Sequence, residues 1–155
     1  MMPDFASFNP LPHFVALLAA YLLALPIGWN REKAERSAGI RTFPLVALAA
    51  SGFVQGAEHI TAGSPEAMAR ITEGIITGVG FIGGGAILKQ ADTVKGTATA
   101  ASLWATGAIG VSTGLGAWDV ALMISVMTAL TLFLLSPLKR EIDLEEQSDH
   151  GSPQG

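Results

Sequence analysis

Cysteine is absent from the 155 residues, which excludes a disulfide framework, a thiolate metal site and a cysteine nucleophile. Charge is scarce. Only 14% of the residues are Asp, Glu, Lys or Arg, against about 25% in an ordinary globular domain. The three histidines, His13, His59 and His150, lie too far apart to form a zinc-ligand motif. No basic residue precedes the first apolar run, whereas a cleavable signal peptide begins with one, so the run starting near Leu11 reads as a retained span. The net charge of −4 says little by itself, and no nucleic-acid partner is expected.

Apolar residues and glycine are what the chain has in excess: half of it is hydrophobic and 18 residues are glycine. The glycines concentrate between Arg70 and Gly116, in two apolar runs, Ile71 to Leu88 and Thr97 to Gly114. A polar insert, Lys89 to Gly96 with Lys89, Asp92 and Lys95, separates them. Each run is long enough to cross a bilayer, which takes about 17–25 residues. Glycine costs about 1 kcal/mol relative to alanine in a soluble helix, whereas in lipid small residues let helix backbones approach closely.

Three further runs complete a set of five. Leu11 to Trp29 carries Ala16, Ala20, Ala24 and Gly28 at every fourth position, Pro26 near its end and Trp29 as an interfacial anchor. Phe43 to about Ile60 is preceded by Thr42 as a helix cap, with Pro44 in its first turn. This run contains Gln55, an amide that should face the bundle rather than acyl chains. Glu58 to Arg70 reads as a short loop and Leu115 to Asp119 as a tight turn, and Val120 to Leu138 is a span without charge. The expected fold class is all-α, a polytopic membrane bundle of five transmembrane helices.

Orientation follows from counting basic residues in alternate loops. One side receives Arg31, Lys33, Arg36, Arg41, Lys89, Lys95, Lys139 and Arg140, and the other only Arg70. The N-terminus is therefore expected outside and the C-terminus in the cytoplasm. A four-span arrangement would put one of the basic clusters on the wrong side. Residues 1–10 become a periplasmic segment, 11–138 the membrane domain, and 139–155 an acidic cytoplasmic tail too polar to offset its ordering entropy, hence disordered.

Three segments carry a family resemblance: GWNREKAERSAGIRTFPLV from Gly28, RITEGIITGVGFIGGGAIL from Arg70, and TVKGTATAASLWATGAIGVSTGLG from Thr93. Together they resemble the membrane domain of the MgtC/SapB family, over about Leu17 to Leu135, in its short form without the C-terminal ACT-like domain of longer members. The matching positions are Gly39, Arg41 and Thr42; Gly78, Gly80, Phe81, Gly83 and Gly85; and Lys95, Gly96, Thr99, Ala100, Ala101, Ser102 and Trp104. Many members carry a glutamate-arginine pair after the glycines that end the first span, where this chain has Trp29, Asn30 and Arg31, with Glu32 next. The resemblance implies a multi-pass protein of the bacterial inner membrane, linked to growth under magnesium limitation and, in pathogens, to virulence through survival inside macrophages. Some members are thought to restrain the proton-driven ATP synthase, which makes such an integral complex a candidate partner.

Candidate sites can be weighed residue by residue. Gly78, Gly80 and Gly83 spell GxGxxG, but a dinucleotide fingerprint needs a strand before it and a helix start after it. Lying mid-span, these glycines read as packing positions. The expected packing surface comprises Gly74, Gly78, Gly80 and Gly84 on the third span and Ser102, Thr106 and Gly110 on the fourth. Glu73 is the one acid inside a span, two residues from its start, and either pairs with Arg70 or joins Glu58, Glu66 and Asp119 in a weak Mg²⁺ site. No other cofactor is expected.

Arg31, Arg41, Thr42, Lys95, Gly96 and Thr97 form the cytoplasmic candidate. They either obey the positive-inside rule and touch membrane lipids, or use two helix N-termini to hold a lipid phosphate or an acidic partner. Thr99, Ser102 and Thr106 have no histidine or second acid to activate them, so no enzymatic activity is expected. The runner-up function is a small-ion transporter, as a homo-oligomer. Five spans do not divide into two equal repeats, which ranks it second.

Overall fold

The computed structural model describes residues 9–34, 38–61, 63–90 and 93–150, with 59, 90, 93 and 136–150 described by backbone alone. Among the described residues the order is α1 (Pro10–Lys33), α2 (Thr42–Thr61), α3 (Pro65–Gly85), β1 (Leu88–Gln90), β2 (Thr93–Lys95), α4 (Thr97–Gly114) and α5 (Trp118–His150). The fold is thus helical apart from one antiparallel hairpin, β1 with β2, in which Lys89 faces Val94. The expected all-α class holds, with this short hairpin as a local addition. Its strands come from the polar insert, where β-branched Thr93 and Val94 favour extended backbone.

Helix α4 occupies the middle and touches each of the other four helices. Its hydroxyls satisfy its own carbonyls: Ser102 Oγ donates to the Ala98 carbonyl at 2.6 Å, and Thr106 Oγ1 to that of Ser102 at 2.8 Å. This local bonding lets a helix with buried Thr99, Ser102, Thr106, Ser112 and Thr113 sit in the core. Small residues set how close the neighbours come. A methyl group on Gly110 would run into the Ala47 carbonyl of α2, and one on Gly114 would lie 2.8 Å from Val54 Cβ. On the other flank, α3 meets α4 where Val79 packs over Gly107 and Gly83 faces Ala100. The alanine face of α1 is buried at Ala16, Ala20 and Ala24, and Ser125 of α5 donates to the Leu23 carbonyl of α1 at 2.6 Å.

Outside, each helix presents large apolar side chains, among them Phe14 and Leu22 on α1, Phe53 on α2, Phe81 on α3, Trp104 on α4 and Met127 on α5. A soluble monomer rarely exposes contiguous apolar patches above a few hundred Å². Two helices, α1 and the 118–135 part of α5, are long and apolar enough to cross a membrane, with mean hydropathies of 1.9 and 2.0. The two apolar helices and this exterior suggest a membrane protein.

Several expected boundaries move. Helix α3 begins at Pro65, not Ile71, because Ser64 caps it by accepting from the Ala67 N–H at 3.2 Å and Pro65 suits the first turn. The loop expected over Glu58 to Arg70 therefore shrinks to the residues between Thr61 and Pro65. Asn30 to Lys33 extend α1 instead of opening a loop, and Thr42 is the first residue of α2 rather than a cap ahead of it. The backbone of α5 continues to His150, so 139–150 are helical where a disordered tail was expected. Arg36, Asp92 and residues 1–8 and 151–155 lie outside the described residues.

Candidate functional site

The up-and-down course of the helices gathers most of the basic residues at one end and most of the acidic ones at the other. Gly28 of α1 packs on Ile40 and Phe43 at the start of α2, while His13, near the start of α1, lies level with Gln55, late in α2. One end thus holds Arg31, Lys33, Arg41, Lys89 and Lys95, and the opposite end Glu58, Glu66 and Asp119 with Arg70.

At the basic end Glu32 ties the last turn of α1 to the residues just ahead of α2: its Oε2 accepts from the Ile40 N–H at 3.0 Å. That carboxylate occupies the space a side chain on Gly39 would need, which explains why the motif ending in Arg41 and Thr42 contains a glycine there. The Lys33 ammonium lies 5.2 Å from the Trp29 ring centre, in reach of a cation–π contact. Arg31 differs from the expectation: it is 3% exposed, and its Nε and Nη2 donate to Asn30 Oδ1 at 3.2 and 2.6 Å. It is part of the bundle rather than a cation offered to lipid or a partner, because α1 runs on past Trp29 and turns it inward.

Arg41, Lys95 and Thr97 are exposed, while Thr42 and Gly96 are half-buried. Gly96 takes a left-handed φ of 94° ahead of α4, and a side chain there would collide with the Ala86 carbonyl. The two helix starts stand at different heights. Helices α2 and α4 are parallel, with Gly110 against Ala47 and Ala50. Gly110 is 13 residues from the start of α4 and those alanines 5 and 8 from the start of α2. Helix α4 therefore projects about 7–12 Å beyond α2. The hairpin carrying Lys89 and Lys95 stands on that projection, and Arg41 lies nearer the bundle.

Of the expected packing surface, Ser102, Thr106 and Gly110 are buried. Gly74, Gly78, Gly80 and Gly84 are exposed, and a methyl group on any of them would meet nothing within 4 Å. Spacing alone marks these glycines as small without saying which way they face. Gly74 and Gly78 line an open groove between α2 and α3, about 1090 Å³ in volume, whose walls are apolar apart from Arg41 and Thr42 at one end.

Glu73 is exposed and lies eight residues into α3, about 12 Å from its start rather than at the edge. No ion pair with Arg70 forms among the described residues. Nor, among those residues, do three acidic or imidazole side chains group as a metal ion would require, so Glu73 is not assembled with Glu58, Glu66 and Asp119. His13, which carried no sequence signal, joins a polar chain instead: its Nδ1 is 2.9 Å from Gln55 Oε1, and Gln55 Nε2 donates to Ser51 Oγ at 3.0 Å.

Comparison with known proteins places this architecture. The model of the MgtC family matches residues 17–141, from α1 into α5. The protein MgtC of Salmonella typhimurium is 37% identical over 85% of this chain and 56% of its own length. That of Brucella abortus is 37% identical over 89% of this chain and 58% of its own. The protein SrpB of Synechococcus elongatus is 38% identical over 80% of this chain and 75% of its own. The chain spans somewhat over half the length of the MgtC relatives. No solved structure matches.

Proposed function

The chain belongs to the MgtC family, and from that premise we propose that it is a non-enzymatic, multi-pass protein of the bacterial inner membrane that supports growth when magnesium is scarce. In this reading all five helices cross the bilayer, with the Arg41 and Lys95 end in the cytoplasm, as the excess of basic residues there requires. The family match, which extends over nearly the whole helical bundle, is the observation that carries it. The apolar exterior of every helix supports membrane contact as the mode of action. The protein acts by touching other membrane components, lipids or an integral complex such as the proton-driven ATP synthase. Hydroxyls that bond carbonyls one turn back, as those of Ser102 and Thr106 do, are structural rather than nucleophilic.

Growth of a deletion strain in low-Mg²⁺ medium tests the reading. The wild-type chain should restore growth, and a chain carrying Arg41→Gln with Lys95→Gln should insert normally yet fail to restore it. Undiminished growth with the double variant would remove the basic end from the mechanism. Ion flux in proteoliposomes separates the alternative class: saturable Mg²⁺ or H⁺ movement would replace this reading with transport.

A further inference from the structure

We propose that the groove between α2 and α3 seats an acyl chain of an anionic phospholipid whose phosphate rests on Arg41. This rests on the reading that the chain acts through membrane contacts, and names one of those contacts. The groove follows α2 from Arg41 to Ile60, about 28 Å of helix, so the half beginning at Arg41 is long enough for one acyl chain, which fills about 15 Å of the roughly 30 Å hydrocarbon thickness shared by two leaflets. Its floor is bare. Gly56, Gly74 and Gly78 leave open space where side chains would otherwise stand. Phe53 and Ile60 on its rim are 64% and 80% exposed, so the groove opens sideways, toward the tails, and not into the bundle.

Charge decides the occupant. Apart from Thr42, the polar lining is a single cation at one end, Arg41, and its side chain makes no hydrogen bond or ion pair among the described residues. One apolar chain with an anion at one end matches that layout. A second copy of the protein matches it poorly, because copies with the same orientation meet about an axis along the membrane normal and bring the same patches together. Two Arg41 side chains would then face each other at one level, a like-charge contact that disfavours the pairing.

The test uses the full chain reconstituted in nanodiscs of equal dioleoyl phosphatidylglycerol and dioleoyl phosphatidylcholine, washed in detergent, with retained lipids counted by native mass spectrometry. The wild type should retain phosphatidylglycerol over phosphatidylcholine by about fivefold, the preference that one basic residue near an anionic headgroup supplies. Arg41→Gln should erase that preference while total lipid retained stays unchanged. Gly78→Leu, and separately Gly74→Leu, should lower retention of both lipids with helix content intact by circular dichroism. Equal retention of the two lipids by the wild type, a preference that survives Arg41→Gln, or retention unaffected by both leucine variants overturns the proposal. So does disulfide cross-linking between copies carrying Gly78→Cys, which in a chain without other cysteines would identify a second copy as the occupant. A chain that selects phosphatidylglycerol but fails to restore low-Mg²⁺ growth keeps the groove assignment and loses the functional one.

Discussion

Replacing Gly110 by alanine tests whether close backbone approach between α2 and α4 holds the bundle together. The added methyl group would collide with the Ala47 carbonyl and stand 2.7 Å from Ala50 Cβ. None of these atoms lies at the end of a flexible side chain, so α2 or α4 must shift. Overpacking of this kind costs about 1–3 kcal/mol, and a backbone clash belongs at the upper end. The better helix propensity of alanine returns about 1 kcal/mol, leaving a net loss of about 2 kcal/mol. Gly78→Ala is the internal control, since its methyl group would meet nothing within 4 Å and only the propensity gain of up to about 1 kcal/mol remains. The two variants should therefore differ by about 3 kcal/mol and in opposite directions from the wild type. Unfolding in mixed micelles of mild detergent and dodecyl sulfate, followed by fluorescence of Trp29, Trp104 and Trp118, measures the difference. Equal effects, or a larger loss at Gly78, would show that α3 packs its glycines and would refute the reasoning.

Three other outcomes follow from the same geometry. Glu32→Ala should remove the acceptor of the Ile40 N–H, at about 0.5–1.5 kcal/mol, and speed hydrogen exchange at Ile40 while the amides of α4 stay protected. Gly96→Ala should destabilise by at least 1–2 kcal/mol, roughly the cost of a left-handed alanine, since φ there is 94° and the Ala86 carbonyl fills the side-chain space; the dodecyl sulfate titration reads it directly. Glu73→Gln should leave any Mg²⁺ dependence of thermal stability in detergent unchanged, because Glu73 is not grouped with other acids among the described residues. A lost Mg²⁺ response in that variant would restore the metal site.

Legibility in the sequence varied with the kind of signal. Helix α4 has the bounds that its apolar run indicates, Thr97 to Gly114, and the every-fourth alanines of α1 are buried as their spacing implies. Hydropathy marks where a helix lies but not where it caps, so Ser64 and Pro65 began α3 inside a segment that looked like loop. The positions of glycines were legible and their neighbours were not. The same residue serves close packing at Gly110 and an open groove at Gly78, and only the register between helices separates the two. A polar run reads as solvated, which places Arg31 with the loop charges, although the helix that carries it turns it into the bundle. The unequal heights of Arg41 and Lys95 depend on how α2 and α4 are offset, which no local pattern records.

The central position of α4 bears on how the protein is made. Its core-facing side carries five buried hydroxyl residues, and in a bilayer such a face gains nothing from lipid until neighbouring helices cover it. Helices α1 and 118–135 of α5 are apolar enough to enter a membrane separately, whereas α4 follows α3 through a tight hairpin that holds the two helices antiparallel. On the proposal that all five helices cross the bilayer, the pair is suited to entering it as one unit during synthesis, after α1 and α2. Lengthening the hairpin should then slow membrane integration of α4 without changing that of α1, an order of biogenesis written into which helix the fold encloses.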